Sequence, residues 1–144
     1  MTKSKKRINK KRRTVKKRPM TSRIVYMFLQ FLNMIKLYHW KTRSYSQHKA
    51  TDELYGRLNE NIDKFVEVLL GKDQTRIENM EHQLKLINTD NMTDVKECVF
   101  EYRAFLTDLN THFDPKKDSD LLSLRDELLV DVNQFLYLLS FDKI

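Results

Sequence analysis

Apolar residues recur at helical spacing through four stretches of this chain. Between Ser46 and Leu70 the positions Leu54, Leu58, Ile62, Phe65 and Leu69 step by four, four, three and four, which keeps their side chains on one face of a helix. Gly71 is its expected stop. A third helix is predicted from about Thr93 to His112, with Val95, Cys98, Val99, Tyr102, Leu106 and Leu109 inward, before Asp114 and Pro115 break it. A fourth starts near Ser119 or Asp120 and runs to Phe141, burying Leu121, Leu124, Leu128, Val132, Phe135 and Leu139. The first is predicted from a Thr21 or Ser22 cap to about Arg43. Its apolar residues, among them Ile24, Val25, Phe28, Leu29, Phe31, Leu32 and Ile35, cover most of the circumference. A helix apolar nearly all round is buried on more than one side, which points to contacts between subunits. Residues 72–92 are less regular; Ile77, Met80, Leu84 and Ile87 could form one short helix there. Four long helices with one connection of about 20 residues make an all-α four-helix bundle.

Composition agrees. Two glycines and two prolines in 144 residues are too few for the turns of a sheet protein. The length suits one domain able to bury a core without staples. The single cysteine, Cys98, cannot close an intrachain disulfide, so the expected compartment is intracellular and reducing.

Charge divides the chain. Residues 1–18 hold eleven of the 27 basic residues and no acid, leaving sixteen basic against twenty acidic residues in the body. Residues 1–20 are read as a disordered basic arm and 21–144 as the bundle. The arm cations Lys5, Lys6, Arg7, Lys10, Lys11, Arg12, Arg13, Lys16, Lys17 and Arg18 are candidates for largely sequence-independent DNA phosphate binding. A nuclear-import signal and an acidic protein partner are the other readings. The run Ile24–Trp40 is interrupted by Gln30, Asn33 and Lys36 and followed by no small-residue cleavage site. It is therefore read as neither signal peptide nor membrane span.

The second helix carries another stripe: His48, Asp52, Asp63 and Glu67. These lie within about 100° of arc, their mean direction about 130° from the core stripe. His48 and Asp52 are one turn apart, as are Asp63 and Glu67, but eleven residues, roughly 16 Å of helix, separate Asp52 from Asp63. No single ion bridges that, so each pair is half a site. Residues 48 and 67, like 52 and 63, are equidistant from a point between 57 and 58. Two copies packed antiparallel about that point would set His48 against Glu67 and Asp52 against Asp63 of the second copy, giving two identical sites. Gly56 would let the helices approach. Nitrogen and carboxylate ligands without thiolate suit Fe(II), Zn(II) or Mn(II). The plain alternative is a solvated outer face.

At this point the residues resemble a known family. Tyr38-His39-Trp40, then His48-x3-Asp52-x10-Asp63-x3-Glu67, then Leu69-Leu70-Gly71 are similar to the Dps family of DNA-protecting mini-ferritins. Ser119-Asp120-Leu121-Leu122 and Phe135-Leu136-Tyr137-Leu138-Leu139 resemble that family's last helix. The resemblance covers about residues 24 to 141 and looks closest to uncharacterised Dps-like proteins of large DNA viruses. It implies a ferritin-like bundle. It adds His39 as a fifth metal ligand, with His48 and Asp52 from one chain and Asp63 and Glu67 from the symmetry mate. It further implies a di-iron or mono-iron site, with Zn an alternative, and oxidation of Fe(II), preferably by peroxide. Trp40 would intercept stray oxidising equivalents, and a two-fold dimer through the second helix would build a dodecameric shell. The expected location is with nucleic acid, in a nucleoid, nucleus or virus particle. The connection is shorter than the family's: His39 and His48 are nine residues apart instead of about twelve.

The other candidates have plainer readings. His82 and His112 read as surface residues, Cys98 as core, and Trp40 equally as packing at a helix end. Asp114, Asp118 and Asp120 read as acids favoured at a helix N-terminus, or as an ion pathway by resemblance. The rival to ferroxidation is a non-enzymatic DNA-packaging or virion architectural protein on the same fold.

Overall fold

The structure is a computed structural model, described here for residues 18, 20–78, 82–87 and 89–141. Among these residues there are four α-helices and no strands: α1 (Thr21–Lys41), α2 (Tyr45–Asp73), α3 (Met92–Asp108) and α4 (Ser119–Leu139), with a 3-10 turn at Leu109–Thr111 closing α3. The all-α four-helix bundle expected from periodicity is what forms. None of these helices is long and apolar enough to cross a membrane.

Contacts set the topology. Phe31 stacks on Tyr102 and Phe28 meets Phe105 edge-on, so α3 runs antiparallel to α1. Asn61 pairs with Asp131 and Arg57 with Gln134, so α4 runs antiparallel to α2. Successive helices therefore run up, down, down and up. The long connection climbs the outside of α1: Tyr26 donates to the Gln83 carbonyl and the Ile87 N–H to the Met34 sulfur. No helix forms among its described residues. Ile77, Leu84 and Ile87 are partly exposed, and Met80 lies outside the described set.

The core is the predicted one. Leu58, Phe65, Leu69, Leu109, Leu121 and Val132 are fully buried, each large aliphatic or aromatic side chain contributing about 1.5–3 kcal/mol of transfer free energy. Phe28 and Phe113 pack edge-on against Phe65. On α1 only Leu29, among the apolar residues from Ile24 to Leu37, is exposed.

The ends depart from expectation. Gly71 does not stop α2: the helix continues to Asp73 and ends at Gln74, which takes the left-handed conformation at φ 52. The extra residues are held because Asp73 is buried against the Arg18 guanidinium, 2.9 Å away. Neither Thr21 nor Ser22 caps α1. Met20 precedes the helix, Thr21 is its first residue, and its hydroxyl bonds the Arg18 carbonyl. The Ser44 side chain caps α2 through the Gln47 N–H, and Asn91 caps α3 through the Thr93 N–H.

Candidate metal centre

The α1–α2 turn brings two histidines face to face. Thr42 ends α1 with its N–H on the Tyr38 carbonyl, and Ser44 starts α2. Gln47 accepts from both the Tyr38 and Thr42 hydroxyls, at 2.8 Å each. The tight connection is thereby pinned, and the short spacing between the histidines is no obstacle to their meeting. The rings of His39 and His48 stack with centroids 3.8 Å apart and planes tilted by 21°.

Their hydrogen bonds are reciprocal. His39 Nδ1 lies 2.9 Å from the His48 carbonyl oxygen, and His48 Nδ1 lies 3.0 Å from the His39 carbonyl oxygen. A carbonyl only accepts, so each Nδ1 carries a proton, and Nε2 is the nitrogen turned away from the backbone. Thr51, fully buried, reinforces the arrangement: its hydroxyl is 2.8 Å from the Gln47 carbonyl and 3.2 Å from His39 Nδ1. Backbone partners on Nδ1 are the usual outer shell of a metal-ligating histidine. His39 is buried, whereas His48 is exposed. The Asp52 carboxylate, 60% exposed, lies 4.0 Å from His39 Nε2.

One chain thus stacks His39 on His48 and sets Asp52 4.0 Å from His39 Nε2. It does not unite them with Asp63 and Glu67, which stand exposed further down the same outer face of α2. Among the described residues no group of three or more His, Cys, Asp or Glu side chains is arranged to hold one ion. The stacking explains part of this. Two rings stacked nearly parallel, with centroids 3.8 Å apart, do not aim both Nε2 lone pairs at one ion about 2.1 Å from each nitrogen. Gly56 is exposed, and an added Cβ there would touch nothing, so the fold of one chain does not require it to be glycine.

Trp40 does not pack into the core. Its ring is 70% exposed and the Lys36 ammonium lies 5.6 Å from its centroid; the same ammonium is 4.7 Å from the Tyr55 centroid. His112 and His82 are exposed, the latter beside the Tyr26 ring, and Cys98 is buried in the core.

Of the arm candidates, Lys5, Lys6, Arg7, Lys10, Lys11, Arg12, Arg13, Lys16 and Lys17 lie outside the described residues. Arg18 is corrected: it belongs to the body. Its guanidinium binds Asp118 with two bonds of 2.8 and 3.0 Å and Asp73 with a third. It stacks over Phe113 as well. The Arg18 hydrogen bonds hold the Asp118 carboxyl down to about 2 despite its burial. Asp118 also accepts from the Asp114 N–H, with Lys72 3.7 Å away. Its role is this buried ionic hub; its side chain does not cap α4. Asp114 instead accepts the Lys116 and Lys117 N–H groups, and Asp120 pairs with Lys72. Sequence reasoning also missed two buried charges of α4. Arg125 donates to the Leu106 carbonyl and to Asn110, and Asp131 accepts from Asn61.

The family of unknown function DUF5856 has a model that matches residues 39–139, and the chain belongs to that family. The matched stretch opens on His39 and includes all five candidate ligands. No curated protein and no solved structure shows significant similarity to the chain.

Proposed function

We propose that this protein is a Dps-like mini-ferritin that oxidises Fe(II) at a site shared by two copies of the chain and attaches to DNA through its basic arm. The observation that carries the reading is the histidine pair. Both Nδ1 atoms are committed to backbone carbonyls, and the Nε2 side faces the first carboxylate of an acidic stripe. Up, down, down, up with one long crossover is the ferritin-like way to connect four helices, which supports the same family. Two Fe(II) ions give up one electron each, and peroxide with two protons becomes two waters. Carboxylates from the second copy would hold the Fe(III) that forms.

The test exploits helix length. One variant carries His48→Ala and Asp52→Ala, the other Asp63→Ala and Glu67→Ala. These side chains are exposed, so both variants fold, and each homodimer has only broken sites. Unfolded and refolded together, half the dimers are mixed. One of their two sites then collects all four substitutions and the other none. Peroxide-driven oxidation returns to about a quarter of the wild-type rate by this symmetry. No recovery, with mixed dimers verified by mass, sinks the shared site. Wild-type oxidation by both parent variants would favour the architectural rival.

A further inference from the structure

The α1–α2 turn also carries exposed surface beyond the histidine pair. The sequence contains no acidic residue before Asp52. Among the described residues, Tyr45 and Trp40 are the most exposed large apolar side chains, at 75% and 70%. Each ring has a cation beside its face: Lys49 lies 5.9 Å from the Tyr45 centroid and Lys36 lies 5.6 Å from that of Trp40. Arg43, exposed, stands in the connection between them. The helix α2 begins at Tyr45, so the positive end of its dipole adds to these charges. Beside Tyr45 and Lys49 a groove of about 480 Å³ runs past Ala50 to Leu138 and Phe141, with Glu53 the one acid on its wall.

Cations interleaved with bare aromatic rings match a polyanion whose repeating units have flat, apolar faces. Duplex DNA offers the phosphates but hides the faces of its bases in the stack. Unpaired nucleotides offer both, and base stacking on aromatic side chains is the common basis of single-strand binding. We propose that this turn binds unpaired DNA: Trp40 and Tyr45 stack on bases, while Lys36, Arg43 and Lys49 hold the flanking phosphates. The groove beside Tyr45 gives a displaced base an apolar wall. This surface is distinct from the arm. Arg18 is fixed at the opposite end of α1, whose 21 residues span roughly 30 Å.

Trp40 is the only tryptophan, so its emission in the full-length protein reports on this turn alone. Oligothymidylate should quench it saturably. A blunt-ended duplex with the same number of phosphates should bind, by anisotropy of a label on the DNA, without quenching. Tyr45→Ala should weaken oligothymidylate binding roughly tenfold, Tyr45→Phe should restore it, and neither should alter duplex binding. Tyr45 is exposed enough for its replacement to leave the helical circular dichroism unchanged. Quenching by the duplex to the same extent, or unchanged affinity in Tyr45→Ala, overturns the proposal. Quenching by oligouridylate or polyglutamate at concentrations where oligothymidylate has no effect overturns it too. If the duplex fails to bind while oligothymidylate still quenches, the arm reading falls and this one stands.

Discussion

Replacing Asp118 by asparagine tests whether the root of the arm is part of the folded body. Asparagine keeps the shape and can still accept from the Asp114 N–H, but it removes the charge that Arg18 grips with two bonds. The Asp118 carboxyl is held at about 2, against an ordinary 3.8. At about 1.4 kcal/mol per unit this depression contributes about 2 kcal/mol of stability at neutral pH. The side chain is only 6% exposed, so solvent screening takes little of that away. The sign follows from the direction of the shift. A depressed folded-state value stabilises wherever the unfolded carboxyl is ionised, so the contribution is complete above about pH 4. It is lost as pH falls from about 4 to about 2. Urea unfolding followed by circular dichroism should therefore show Asp118→Asn less stable by about 2 kcal/mol at pH 7. Wild type and variant should converge by about pH 2. Truncation gives the same answer by another route: removing residues 1–17 should leave stability unchanged, and removing Arg18 as well should cost a comparable amount. A variant within about 0.5 kcal/mol of wild type at pH 7, with an unchanged acid slope, would refute the hub.

Two further outcomes are expected. Deleting residues 1–17 should remove most affinity for duplex DNA, and the intact protein should lose duplex affinity steeply with added salt and discriminate little between sequences; a truncated protein that binds duplex as well as the full chain contradicts this. Burial pushes the Asp131 carboxyl up, with the Asn61 hydrogen bond opposing, so Asp131→Asn should raise Tm at neutral pH. That gain should vanish at low pH, where the native aspartate is protonated as well; a Tm at or below wild type at pH 7 would show that the charge is not the burden.

The helices were legible because burying one face at a period near 3.6 leaves a repeating mark, and nearly every stripe residue read from it is buried. Leu124 shows where the method slips. Its spacing points it inward, yet it is half-buried, while Arg125, four residues after Leu121 and three before Leu128, occupies the core register. A charged residue in an apolar stripe was the available signal, and its acceptors on α3 and the 3-10 turn could not be seen from spacing. Arg18 is a different case. Arg18 ends a run of like charges, and composition gives each cation in a run the same reading. What singles it out is an ion pair with residues 55 and 100 positions away. At the metal centre, the outward stripe on α2 was readable from angle alone, whereas His39 came only from the family resemblance. The reciprocal bonds between His39 and His48 use backbone carbonyls, which every residue possesses, so no residue pattern announces them.

The two halves of the candidate centre differ in how much one chain prepares them. The histidine pair is ordered within one chain: both Nδ1 atoms lie on main-chain oxygens, and Thr51 braces the buried ring. The carboxylates of Asp63 and Glu67 carry no such support and stand in solvent. An ion that takes a nitrogen from one copy and carboxylates from the other binds the dimer and not the separated chains, and so draws the copies together by mass action. On the proposed function, an ion held at His39 would have Asp52, 4.0 Å from Nε2, as its own-chain carboxylate and would take its remaining ligands from a second copy. On that reading the exposed acidic stripe would supply the half of the site that one chain leaves open.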